Sequence, residues 1–202
     1  MKYVRIFLIA GFLLGSSIST FAQISLVQSE QLDMAGVKFN YPSGWAIRDM
    51  SGPTANEFVL DRADLEVQVK VSVLRTRLNS PEKIAEAKRN FVDQYIETTT
   101  RSLIEADAKP VAAPQKFETA SIKFDGVRIK AAYDGAPGAV EIVWAVIENK
   151  MVLLSFFGSD VESAKAALAW DMIRKTLKIA PPPTSTGIPA AVPVAVPKKP
   201  AN

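Results

Sequence analysis

Residues 36–49 read GVKFNYPSGWAIRD. From Gly36 to Tyr41 the apolar side chains Val37, Phe39 and Tyr41 alternate with Lys38 and Asn40, the pattern of a half-buried strand. Pro42-Ser43-Gly44 is a turn signal, and Trp45 to Arg48 restarts extended chain. The stretch therefore predicts a strand that opens a sheet, a tight turn, and a tryptophan delivered into the core.

Outward from this stretch, a short polar lead runs from Gln23 to Ala35 on one side. On the other, Glu57 to Asp61 is a strand candidate and Leu65 to Leu74 a clear one. In the latter, Leu65, Val67, Val69, Val71 and Val73 line one face and Glu66, Gln68, Lys70 and Ser72 the other. Period two predicts burial on one side only. Ser80-Pro81-Glu82 then supplies a cap, a first-turn proline and an acid for the positive end of a helix. Its stripe of Ile84, Phe91 and Tyr95 reads as core packing, and the helix is expected to end near Thr100 to Leu103.

Ala108 to Gln115, with two prolines, reads as a loop, and four strands follow. Lys116 to Phe124 is expected to turn at Asp125-Gly126, a hairpin dipeptide. Val127 to Tyr133 points Val127, Ile129, Ala131 and Tyr133 inward and Arg128 and Lys130 outward. After a turn over Asp134 to Ala139 come Val140 to Ile147 and Met151 to Phe157, apolar on both faces and so central in the sheet. A second helix is predicted from Asp160 to Ile179. Ala166, Trp170, Ile173 and Leu177 form one stripe, Val161, Leu168 and Met172 an adjoining one, and Asp171, Arg174, Lys175 and Lys178 share the polar side.

The ends differ in kind from this domain. Lys2 and Arg5 precede an apolar run from Ile6 to Leu14, and Thr20-Phe21-Ala22 has the small residues of a cleavage site. That is a secretory signal peptide over 1–22, too short to span a bilayer, which needs about 20 apolar residues. From 181 to 202 the chain is Pro- and Ala-rich, a disordered or polyproline-like tail read as a spacer. The domain between is expected over 23–180. Without Lys2, Arg5, Lys198 and Lys199, 20 basic residues face 21 acidic ones. So balanced a domain has no electrostatic footprint for nucleic acid.

The sequence has no histidine and no cysteine. This excludes a Ser-His-Asp triad, thiolate nucleophiles, and zinc or haem sites built on His or Cys. It also means that packing alone holds the fold. No cofactor is expected. The densest carboxylate cluster, Asp61, Asp64 and Glu66, is the candidate cation site, since hard cations take several oxygens. It lacks the glycine and terminal Glu of a calcium loop, and reads as a solvated turn between strands. The outward rows Glu66, Gln68, Lys70 and Arg128, Lys130 would form one charged partner surface if their strands were near neighbours.

The opening motif Tyr41-Pro42-x-Gly44-Trp45, the alternating strand after it and the final helix with Trp170 resemble the PsbP-like family over about residues 36–179. That family includes extrinsic proteins of photosystem II, fold-related Ran-binding nuclear import factors and exported bacterial proteins. The resemblance implies an α+β fold, an antiparallel sheet flanked by helices in an α/β/α sandwich. It also implies a non-catalytic accessory or binding module outside the cytoplasm, in the periplasm or beyond. The expected partner is a protein or envelope component, and the expected state a monomer without a transmembrane anchor once the signal is removed. The alternative is a carboxylate-based hydrolase, metal-assisted or not, resting on the Asp61 cluster.

Overall fold

A computed structural model describes residues 28–119, 121–133 and 135–181. The expected signal peptide over 1–22 and all but Pro181 of the expected tail lie outside the described residues. Among the described residues ten strands and three α-helices follow one another, beginning with β1 (Ser29–Met34), β2 (Val37–Pro42), β3 (Ala46–Asp49), β4 (Ala55–Arg62) and β5 (Leu65–Leu74). Then come α1 (Pro81–Ala87), a π-helical turn (Lys88–Asp93) and α2 (Gln94–Glu105). Strands β6 (Val111–Glu118), β7 (Lys123–Tyr133), β8 (Ala136–Ile147) and β9 (Lys150–Ser159) lead to α3 (Asp160–Thr176) and β10 (Lys178–Ile179). The fold is α+β, as the sequence resemblance implies.

Seven strands form one antiparallel sheet in the order β3-β4-β5-β9-β8-β7-β6, and a small sheet has the order β1-β2-β10. Directly opposed residues of an antiparallel ladder share a face. The register therefore carries Val69 to Phe156, Glu141 and Arg128 on one side, and Lys70 to Ser155, Ile142 and Val127 on the other. The first side is covered by α3 and the small sheet, whose Val37, Phe39, Tyr41 and Ile179 join Trp45, Trp170 and Ile173 in one core. On the second side, Ile129, Ile142, Met151 and Leu153 form another core with Ala87, Val92 and Leu103 of the helical segment. As their two-sided apolar pattern predicts, β8 and β9 lie inside the sheet.

The opening stretch folds as read. Val37 and Phe39 are fully buried, Gly44 turns the chain at φ +87°, and Trp45 is buried. Tyr41 is buried too, and its hydroxyl donates to Glu30 at 3.0 Å. Burial, then the Glu30 carboxylate, push the phenol above its ordinary pKa. Ser80 caps α1, accepting from the Lys83 N–H, and Pro81 takes the first turn.

Other expectations are corrected. The lead before Ala35 contains β1, which buries only Leu32 and so shows no apolar alternation. Ala108 to Gln115 is not all loop: β6 starts at Val111, and Pro114 is accommodated because β6 is an edge strand. The turn expected over Asp134 to Ala139 is shorter than read, since Ala136 already pairs with Tyr133 in β8 and β7; Asp134 lies outside the described residues. The second helix stops at Thr176, whose Oγ1 accepts from the Asn40 N–H at 2.8 Å. Lys178 and Ile179 then pair with Lys38 and Val37 of β2. Val161 and Leu168 are exposed, so α3 packs through one stripe: Ala166, Ala169, Trp170 and Ile173. Arg174 is not a solvated charge. Its guanidinium lies 3.9 Å from the Phe117 ring centroid and 4.6 Å from that of Trp170.

Asp171 is partly desolvated, which raises its pKa, but hydrogen bonds from Arg174 and Lys175 outweigh this and hold it below the ordinary carboxylate value. A depressed carboxylate adds stability above its unfolded-state pKa, and that contribution is lost as pH falls through the folded-state value. Wild-type protein should therefore lose stability below about pH 4, while Asp171→Asn, less stable at neutral pH, should approach it there. Urea unfolding at successive pH values measures this, and parallel curves would count against it. The effect is small because Asp171 is 44% exposed.

Candidate functional site

The three carboxylates Asp61, Asp64 and Glu66 do not converge. Asp61 accepts from Arg48 of the neighbouring strand at 2.6 Å, and Asp64 from Arg62 across the β4–β5 turn, also at 2.6 Å. The Arg62 hydrogen bond lowers the Asp64 pKa. Glu66 is exposed on β5. Among the described residues, no group of three or more Asp, Glu, His or Cys is placed to hold a metal ion.

The outward rows are not near neighbours either. Strands β9 and β8 separate β5 from β7, and the register puts Glu66, Gln68 and Lys70 on one face and Arg128 and Lys130 on the other. They form no common surface. Arg128 is drawn into the α3 side: it donates to Glu141 at 2.7 Å, and Glu141 accepts the Trp170 indole N–H at 2.8 Å.

The other row is only partly outward. Glu66 and Gln68 are exposed, but Lys70 is half-buried and Ser72 buried, because the helical segment 81–105 covers this end of the face. Under it lies a polar cluster. Lys70 pairs with Glu57 of β4 at 3.0 Å and lies 5.3 Å from the Tyr95 ring centroid. Ser72 donates to Glu57 at 3.3 Å, and the Tyr95 and Ser155 hydroxyls share a hydrogen bond of 2.8 Å. Both serines are buried.

Two members of the cluster, Glu57 and Tyr95, line a groove of about 410 Å³. Asn90, Phe91, Gln94 and Tyr95 make one wall, and Met50 and Glu57 belong to the other. The π-helical turn sets the first wall. Buried Ala87 and Val92 are five apart, the step of a π-turn, so Phe91 and Tyr95 rotate to the groove's edge. That rotation is why the predicted stripe of Ile84, Phe91 and Tyr95 is only partly buried. Opposite, the Met50 N–H donates to the Glu57 carbonyl at 2.8 Å and Gly52 to Ala55 at 3.0 Å, fixing the loop between β3 and β4. Met50 stands 56% exposed.

Chemically, this groove offers amide donors and acceptors from Asn90 and Gln94 beside apolar Phe91 and Met50. Glu57, the charged residue of its lining, is neutralised by Lys70, which lies outside the lining. The sequence reading did not single out Asn90, Gln94, Glu57 or Tyr95 as a site. The available signal was Ser72, a small polar residue at the end of a row of long polar ones, Glu66, Gln68 and Lys70.

No protein-family model matches this chain, and no curated protein matches it. Among solved structures it is similar to a protein of Bacteroides thetaiotaomicron, at 16% identity and a TM-score of 0.48, covering 75% of this chain. The match spans about half of that longer protein, 48%. It is also similar to the cyanobacterial PsbP of Synechocystis, at 8% identity and a TM-score of 0.48, over 80% of this chain and 98% of the other. LpqN, involved in cell envelope biogenesis of Mycobacterium tuberculosis, matches at 13% identity and a TM-score of 0.42, over 76% and 91%. Among the described residues no helix is long and apolar enough to cross a membrane.

Proposed function

We propose that this protein is an exported, non-catalytic binding or assembly-accessory module of the cell envelope, with the groove beside the π-helical turn as its receptor surface. The observation that carries this reading is that Glu57, the charged residue of the groove lining, is held in an ion pair by Lys70 from outside it. Each group occupies the other, so the groove presents recognition groups and no free acid or base. The signal-like N-terminus supports export. The hydrolase alternative has less support, since Asp61 and Asp64 are each held by an arginine at the surface.

The test isolates the full chain from the envelope of producing cells and examines it by native mass spectrometry. A stoichiometric adduct is expected on wild type, about tenfold weaker on Gln94→Arg, which fills the groove with a charge. It should be unchanged on Lys130→Gln, on the other face of the sheet. No adduct, or one indifferent to Gln94→Arg, overturns the groove assignment.

A further inference from the structure

A second cleft, of about 300 Å³, opens on a different part of the molecule, where four separate segments meet. Arg75 and Arg77 follow β5, Lys150 opens β9, Gly36 lies in the β1–β2 turn, and Pro181 follows β10. Three of the lining side chains are cationic and none is acidic. Among the described residues, Arg77 and Lys150 make no side-chain hydrogen bond or ion pair, and Arg75 makes one, through Nε. Asp49 lies within Coulombic reach of Arg75 but outside the lining, and its carboxylate accepts from the Ser51 N–H.

The walls are built. Asn56, buried in β4, accepts from Arg75 Nε at 2.8 Å and donates to the Ala35 carbonyl at 3.2 Å. It fixes the Arg75 guanidinium at one edge and leaves the Nη donors free. The Leu78 N–H donates to the Asn149 carbonyl at 2.7 Å, tying the arginine loop to the hairpin that carries Lys150. The Ala180 N–H donates to the Gly36 carbonyl at 2.8 Å, closing the remaining side. Three like charges held in one cleft repel one another, and a bound anion relieves that repulsion. Guanidinium groups suit tetrahedral oxyanions, to which they donate paired N–H bonds.

We propose that this cleft binds a phosphate group, either free or carried on a lipid headgroup. The proposal is independent of the groove, with which the cleft shares no lining residue. The test titrates the full chain with inorganic phosphate by calorimetry, in parallel with sedimentation on phosphatidylcholine vesicles with and without phosphatidate. Saturable phosphate binding is expected, with sulfate competing. The double variant Arg77→Gln, Lys150→Gln should weaken it by at least about tenfold, since it removes two charge-assisted donors. Lys178→Gln, an exposed cation outside the cleft, should leave it unchanged. Vesicle binding that needs phosphatidate and is lost in the double variant, without binding of free phosphate, assigns the headgroup source. Circular dichroism checks that the variants fold. No binding in either arm, or binding that the double variant retains, overturns the proposal.

Discussion

Trp170→Ala should lower the unfolding free energy by about 3–5 kcal/mol, the range for truncating a buried aromatic ring. The ring is 3% exposed and stacks on Phe156 with centroids 5.4 Å apart. It also supports the Arg174 guanidinium and donates to Glu141. Removal therefore opens a cavity and takes one donor from a half-buried carboxylate. Since whole domains are stable by about 5–15 kcal/mol, the variant should be near the limit of folding. Trp170→Phe separates the two effects. It keeps an aromatic ring for stacking and loses the indole hydrogen bond, so its cost should be nearer about 1–3 kcal/mol. Urea unfolding followed by circular dichroism measures both, and a Trp170→Ala loss under about 1 kcal/mol would show that the α3 side tolerates the cavity.

Gly126→Ala should cost about 1–3 kcal/mol, a large penalty for one methyl group at a position whose backbone is not left-handed. A Cβ there would sit 2.7 Å from the Ile142 carbonyl oxygen and 2.8 Å from Val143 Cγ1. The first of these is main chain in the adjacent strand and cannot swing aside. Gly52→Ala is the matched control, because a Cβ there meets nothing within 4 Å. Equal melting temperatures for the two variants would refute the steric argument.

Gly126 also shows where the sequence was legible and where it was not. Asp125-Gly126 has the composition of a hairpin turn, yet both residues lie within β7, opposite Trp144 and Val143. The glycine is there for close approach between strands, and the real reversal falls before Lys123. A dipeptide cannot distinguish these uses, because the deciding atoms belong to β8 and β6. The same holds for β1 and β6, edge strands whose pairing is made by backbone. Elements with a one-sided apolar period were readable: β5, α3 and the Val37–Phe39–Tyr41 strand. Of the site, Lys70 was visible as part of an outward row, but Glu57, Tyr95 and Ser155 come together only through register and the π-helical turn. Arg75 and Arg77 were visible as charge. Lys150, far along the chain, joins them only through the hairpin fixed by Glu148 and Asn149, both at positive φ.

Strand β10 has a consequence for when the domain can close. Lys178 pairs with Lys38, so one of the most distant sequence separations in the fold is also the contact that completes the small sheet. Trp170 and Ile173, central to the same core, arrive only a few residues earlier. Such late, non-local contacts impose a high loop-closure entropy and slow folding. A chain emerging from its N-terminus therefore cannot seal this core until almost the whole domain has been delivered.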